Sequence, residues 1–326
     1  MNIRRRLMST GAVAGATALS LVTLSACTGT SGAAGKNGDG KLDVVASFYP
    51  MQYLAEQIGG EHVAVTMLTK PGVEPHDLDL RPRQVSELRQ AGYILYLKGV
   101  QPAVDDAIAQ AGVEHTVDAG TLTELEAHGT ATGGEDHDHG HGDGGHGEHG
   151  DQDPHVWLDP VKYAEIARGV GKSLEKADPA HATAYAKNTD ALVAKLNTLN
   201  TRFADGLKNT DTRTFITTHA AFGYLAERYG LEQQGIAGLD PESEPSPARI
   251  RELQTVAKQD KVTTVFFETL ASDRTAKTLA GDTGLRTDVL DPLEGITDRS
   301  KGRDYLGVME ANLTALRKAL GAQGQQ

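Results

Sequence analysis

The sequence predicts an α/β protein built as two lobes with largely parallel sheets. From Lys41 onward, short β-rich runs alternate with helical ones, the pattern of a parallel sheet covered by helices. The alternation breaks off at a Gly/His-rich stretch and resumes in kind from Phe215 to Leu320. Between the two halves, Leu192, Leu196, Leu199, Phe203 and Leu207 keep one apolar helical face.

In the first lobe, residues 41–160, Leu42 to Ser47 reads as a strand, Tyr49 to Ile58 as a helix and His62 to Leu68 as a strand. Pro82 opens a helix to Ala91, because its fixed φ suits the first helical position. Tyr93 to Leu97 reads as a strand, Pro102 to Gln110 as a helix and Glu114 to Val117 as a short strand. At about residues 127–152 the composition collapses to Gly, His, Asp and Glu, with no apolar side chain to offset the entropy of ordering. An insert without fixed structure is expected there.

A helical region, 161–207, follows. Val161, Ile166, Val170 and Leu174 mark its first helix. Asp178-Pro179 reads as the N-cap and first position of a second helix that continues to Leu207. Unbroken, at ~1.5 Å per residue, it spans about 40 Å, enough for a rigid link between lobes. In the second lobe, 208–326, Phe215 to Thr218 reads as a strand, Ala220 to Tyr229 as a helix and Gly235 to Leu239 as an extended run. Ser246-Pro247 starts a helix to Lys258, Val262 to Phe267 is a strand and Asp273 to Ala280 a helix. Thr287 to Leu290 gives the last strand and Asp304 to Leu320 the closing helix.

The 326 residues carry 32 Lys+Arg against 44 Asp+Glu, a net charge of -12, which argues against nucleic acid as a partner because no basic footprint is available. A single Cys excludes an intrachain disulfide and any Cys-based zinc finger. Residues 1–27 read as a secretion signal: basic to Arg6, uncharged from Leu7 to Leu24, ending Leu24-Ser25-Ala26-Cys27 like a bacterial lipobox. As a membrane span the stretch is marginal, being rich in Gly, Ala, Ser and Thr where ~20 predominantly apolar residues are needed. Cleavage before Cys27 and acylation of its sulfur would anchor the exported chain by lipid at the outer face of the cytoplasmic membrane. Residues 28–40 then read as a flexible tether.

Three histidines share a loop setting: His76 before Asp77, His155 in the run from Asp153 to Pro160, and His219 in Thr217-Thr-His-Ala-Ala-Phe222. Loops at the carboxyl ends of strands are where α/β sheets gather ligands. Each is expected to begin a helix, with an acid or a backbone carbonyl near enough to orient its second ring nitrogen. A lone histidine of this kind reads equally as core or surface, as His62, His115 and His181 do; the joint occurrence points to a metal. The fourth donor must be a carboxylate or water. Asp291, after the last strand, holds the matching position in the second lobe, and Glu268 competes; either could instead orient a ligand or cap a helix. Three imidazoles and one carboxylate suit tetrahedral Zn²⁺, whereas a second carboxylate in place of a histidine would favour Mn²⁺. The insert adds His128, His137, His139, His141, His146 and His149, an expected collector that holds ions weakly and reversibly, against the alternative of a solvated acidic loop without a role.

Taken together, Glu74-Pro75-His76-Asp77 followed by Leu80-Arg81-Pro82, the His-rich insert ending in Asp153-Pro154-His155-Val156-Trp157-Leu158-Asp159-Pro160, Thr218-His219-Ala220-Ala221-Phe222, and Phe267-Glu268-Thr269 resemble the zinc-binding solute-binding proteins of metal-type ABC transporters, over Leu42 to Leu320. The resemblance implies two (β/α)₄ lobes joined by one long rigid helix, with a metal in the interlobe cleft held by His76, His155 and His219. The position that varies among members, giving Asp, Glu or only water, matches Asp291. Manganese-binding relatives keep a carboxylate in place of the third histidine, so His219 favours zinc. The implied function is extracytoplasmic capture of zinc by a monomer and its delivery to an ABC permease with its ATPase subunit. A long connecting helix would limit release to small shifts. Two other functions compete. A zinc hydrolase would use Glu268 or Glu74 as general base, but HExxH and GxSxG patterns are missing. An adhesin would use metal only for stability. A carrier, not an enzyme, is the expectation.

Overall fold

The computed structural model describes residues 35–128 and 152–322. The leader with Cys27, much of the tether, and His137, His139, His141, His146 and His149 lie outside the described residues.

Strands β1 (Leu42–Ala46), β2 (Val63–Met67), β3 (Tyr93–Tyr96) and β4 (Thr116–Asp118) form a parallel sheet in the order β2-β1-β3-β4. A second parallel sheet has β5 (Thr214–Thr217), β6 (Glu232–Gly235), β7 (Thr264–Phe267) and β8 (Arg286–Val289) in the order β6-β5-β7-β8. In each sheet the chain steps to one side of the first strand and then crosses to the other, which leaves topological switch points between β1 and β3 and between β5 and β7. The central strands are buried, apolar runs such as Leu-Asp-Val-Val-Ala and Thr-Phe-Ile-Thr. The edge strands of the second sheet are polar. β6 is Glu-Gln-Gln-Gly and sits just before the extended run expected at Gly235 to Leu239, because an edge strand needs no apolar alternation and so leaves little signal. Likewise β2 starts only at Val63, since Gly60–His62 forms a 3₁₀ turn.

Helices α1 (Tyr49–Gly59), α2 (Pro82–Gln90) and α3 (Pro102–Ala109) flank the first sheet; α4 (Pro160–Ala177) and α5 (Ala182–Leu207) follow; α6 (Gly223–Arg228), α7 (Pro247–Gln259), α8 (Arg274–Thr283) and α9 (Tyr305–Ala319) belong with the second. The long helix is present, its regular part running 26 residues, about 39 Å at ~1.5 Å each. It packs on α1 and α4 from one side and on α9 from the other, burying Leu192, Leu196, Leu199, Phe203 and Leu207. A 3₁₀ turn, Pro179–His181, precedes it. Asp178 does not cap that turn, because its carboxylate already accepts from Lys36 Nζ (2.9 Å), His181 Nδ1 (2.6 Å) and Tyr185 OH (2.9 Å).

One hydrophobic core joins the lobes. It contains Phe48 and Leu54 from the first, Leu196 and Phe203 from α5, and Phe215, Phe266 and Leu316 from the second. Trp157 stands edge-on to Phe48 with centroids 5.0 Å apart, and its Nε1 donates to Pro292 O across the lobes (2.7 Å). A wide hinge motion would expose this shared apolar surface to water.

Candidate metal centre

Each element that carries a site residue positions it by a local device. After β2 the chain runs through Pro71, Gly72 and Pro75 to His76, whose N–H donates to Glu74 Oε1 (3.2 Å). Ahead of α4, Asp153 Oδ1 accepts both His155 N–H (2.9 Å) and His155 Nδ1 (2.7 Å), so one buried carboxylate sets the turn and the ring together. His219 lies two residues past β5, and Glu268 is the first residue past β7, its neighbour across the switch point. Glu268 Oε1 accepts from His219 Nδ1 (2.7 Å) and from the Thr218 hydroxyl. With Nδ1 held by a carboxylate, Nε2 of His155 and of His219 is the nitrogen left to meet a cation on the far side of the ring, once it gives up its proton.

Those nitrogens converge. Nε2 of His76, His155 and His219 lie 3.5, 3.3 and 3.5 Å from one oxygen, Oε1 of Glu294. The separations exceed a good N–H···O bond. All three nitrogens and both Glu294 oxygens are buried with no hydrogen-bond partner, a costly arrangement for a protein to keep. Donors held ~2.0–2.1 Å from a tetrahedral Zn²⁺ stand about 3.4 Å from one another, so the spacing matches the edge of that polyhedron. His155, His219 and Glu294 are buried and His76 is partly so.

Glu294, and not Asp291, is the carboxylate that meets the three rings. Asp291 is buried one turn away and its carboxylate is already engaged, Oδ1 by Leu293 N–H (2.9 Å) and Oδ2 by the Thr269 hydroxyl (3.1 Å). Its backbone is clasped by Asn312 from α9, through N–H to Oδ1 (2.9 Å) and Nδ2 to O (2.7 Å). These bonds hold the buried Leu293 at φ 61°, a left-handed conformation that costs a β-carbon-bearing residue about 1–3 kcal/mol. The turn swings Glu294 into the cleft. Two acids three residues apart were visible after the last strand; only the backbone turn decides between them. Glu268 and Glu74 also stand outside the converging set, each tied to a histidine by the hydrogen bond described above.

The histidines differ from expectation in one respect. His155 directly precedes a helical turn, Val156–Leu158, but His76 lies six residues before α2 and His219 four before α6. Loops free the rings to aim at a common point, away from helix N-termini whose partial positive charge would oppose a cation.

Electrostatics follow from the crowding. Burial alone would raise the Glu294 carboxyl, yet the imidazoles of His155, His219 and His76 hold it well below the usual range. Burial likewise opposes charge on His155 and His219, but the carboxylates around them raise both, His219 well above an ordinary imidazole. Burial, then Glu294, pushes Glu74 up to about 9, which leaves it uncharged at neutral pH and poorly suited to be a general base.

Among the described residues no helix is long and apolar enough to cross a membrane. A family model described as "Zinc-uptake complex component A periplasmic" (ZnuA) matches residues 44–319. The chain is 36% identical over 295 residues to the zinc-binding lipoprotein AdcA of Streptococcus pneumoniae, covering 89% of this chain and 58% of that protein, so it spans little more than half of that relative's length. It is 37% identical over 294 residues to the high-affinity zinc uptake system protein ZnuA of Bacillus subtilis, covering 89% of this chain and 91% of that one. The crystal structure of the Zn(II)-bound ZnuA-like domain of S. pneumoniae AdcA superposes with a TM-score of 0.71 at 33% identity, over 86% of this chain and 99% of that domain.

Proposed function

The chain belongs to the zinc-uptake complex component A family, and from that premise we propose that it captures Zn²⁺ outside the cytoplasm on His76, His155, His219 and Glu294 and surrenders it to an ABC permease served by an ATPase subunit. The observation that carries this reading is the set of three partnerless Nε2 atoms at 3.3–3.5 Å from one carboxylate oxygen. Three imidazoles and a single carboxylate favour Zn²⁺ over Mn²⁺. Four protein donors close the tetrahedron, whereas zinc hydrolases keep one position open for water, so transport fits better than catalysis. We place the chain, through Cys27, on a lipid anchor at the outer face of the cytoplasmic membrane, on the strength of its leader sequence.

Release follows from which donors travel together. The His155 segment is tied to the second lobe by Trp157 Nε1 to Pro292 O, by Tyr224 OH to Asp153 O (2.9 Å), and by Arg228 Nη2 to Asp159 Oδ2 (2.6 Å). The same segment is also held to the first lobe, by Trp157 against Phe48 and by Tyr163 OH to Pro50 O (2.6 Å), so it bridges the two, while His76 sits on a first-lobe loop. A small shift of the lobes withdraws His76 and opens one coordination position without exposing the shared core.

The test is titration of metal-stripped protein with Zn²⁺ against a competing chelator, with thermal unfolding in parallel. One tight ion is expected, in a protein that stays folded without metal and whose Tm climbs with zinc concentration. Broad unfolding on zinc removal would point to the adhesin reading. Deleting residues 135–150 should leave the tight ion and lower the number of weaker ones; equal stoichiometry in both proteins would sink the collecting role of the insert. Affinity is also expected to depend steeply on pH. Zinc takes only the deprotonated rings, and because the His155 and His219 pKa values are raised, their protons compete with zinc at and above the ordinary imidazole value of about 6.5. Affinity should therefore rise with pH through and beyond the ordinary imidazole value of about 6.5, with protons released on loading and read by calorimetry in buffers of different ionisation enthalpy. A flat profile would contradict it.

A further inference from the structure

A second convergence of metal-ligating side chains lies where the chain leaves the described residues and re-enters them. Glu126, His128 and Glu227 each offer a donor atom, all within 4.8 Å of one another. His128 Nε2 is 2.7 Å from Glu227 Oε2, and on its other side Nδ1 donates to Asp153 Oδ2 (3.1 Å). Asp153 is fully buried, and its other oxygen is the one that orients His155. A single carboxylate thus holds two imidazoles, one facing the four-donor centre and one facing outward, in the arrangement that prepares a ring for metal.

The place for His128 is built. A β-carbon at Gly223 would fall 2.5 Å from His128 Cβ and 2.6 Å from its Cγ, so only glycine there admits the ring. Tyr224 meets the ring edge-on with centroids 4.1 Å apart. Its hydroxyl accepts from Glu126 N–H (2.8 Å) and donates to Asp153 O (2.9 Å), while Asp153 N–H donates to Glu126 O (2.9 Å). Backbone on both sides of the site is pinned to α6, the helix that carries Glu227. Lys162 Nζ lies 2.7 Å from Glu126 Oε1, so an incoming cation shares that carboxylate with the ammonium or displaces it. The cation takes the place of the proton that Nε2 shares with Glu227, and two carboxylates against one ammonium then leave a net negative charge to meet it.

We propose that Glu126, His128 and Glu227 bind a second divalent cation, Zn²⁺ among them, at a fixed site distinct from the four-donor centre. One nitrogen and two oxygens, with Glu227 largely exposed, make it the weaker of the two. The first histidine of the His-rich run is then an ordered ligand and not one of several interchangeable rings.

The experiment compares the full chain with Glu126→Gln/Glu227→Gln. Zn²⁺ alone is the probe; ions per chain are counted by equilibrium dialysis, and zinc-edge anomalous diffraction locates them. The double variant should bind one weak ion fewer, and anomalous density at ~2.0–2.1 Å from His128 Nε2 should appear in the parent and vanish in the variant. Gly223→Ala, which removes no donor but pushes the ring aside, should reproduce the loss. Equal ion counts in parent and double variant, or no density at His128 while the four-donor centre is filled, would overturn the proposal. The tight ion is read separately in the same titration, so failure of the main centre is distinguishable from failure of this one.

Discussion

His219→Ala is expected to weaken Zn²⁺ binding by well over the roughly 10- to 100-fold that follows loss of an outer partner of a ligand. On the proposed coordination the ring supplies one of four donors, and its removal also takes the Nδ1 partner from the buried Glu268, which keeps the Thr218 hydroxyl. Water can fill the vacated vertex but is a weaker donor than imidazole, and Glu268 loses its ring partner, so affinity falls well beyond the loss of an outer contact. Chelator competition reads the loss, and thermal unfolding of the metal-free variant separates it from damage to the fold. An affinity within a few-fold of the parent would remove His219 from the coordination sphere and take the interlobe centre with it.

Glu294→Gln should be comparably severe. The substitution preserves shape and hydrogen-bonding size but replaces the only anionic donor, the one atom toward which all three Nε2 groups point. Asp291→Ala provides the contrast. It leaves Leu293 N–H and the Thr269 hydroxyl without their acceptor, so it should cost about 1–3 kcal/mol of stability while reducing zinc affinity less than Glu294→Gln or any histidine change. Unfolding midpoints and zinc titrations on both variants decide the matter. If Asp291→Ala proved the more damaging to zinc binding, the assignment of the fourth vertex to Glu294 would fall.

Much of the architecture was legible because its signals are local. Buried strands such as β1 and β5 announce themselves as apolar runs, Pro82, Pro102 and Pro247 mark helix starts, and the apolar stripe from Leu192 to Leu207 identifies the long helix. The polar edge strand β6 lies ahead of the run expected at Gly235 to Leu239 because pairing with β5, and not its own composition, makes Glu-Gln-Gln-Gly a strand. Asp178 looked like a cap because Asp before Pro so often is one, yet Lys36, His181 and Tyr185 claim its oxygens in the folded chain.

By itself the sequence determined the two parallel-sheet lobes, the helix between them, and the three loops that carry His76, His155 and His219, since periodicity, proline placement and residue type are properties of short segments. Only the tertiary structure decided that Glu294 and not Asp291 faces those rings, that Glu268 lies behind His219, and that Asp153 serves both His155 and His128. The reason is physical. Which carboxylate points inward is set by the left-handed turn at Leu293 and by Asn312 of α9, 21 positions after Asp291, so it depends on contacts that exist only once the second lobe has folded.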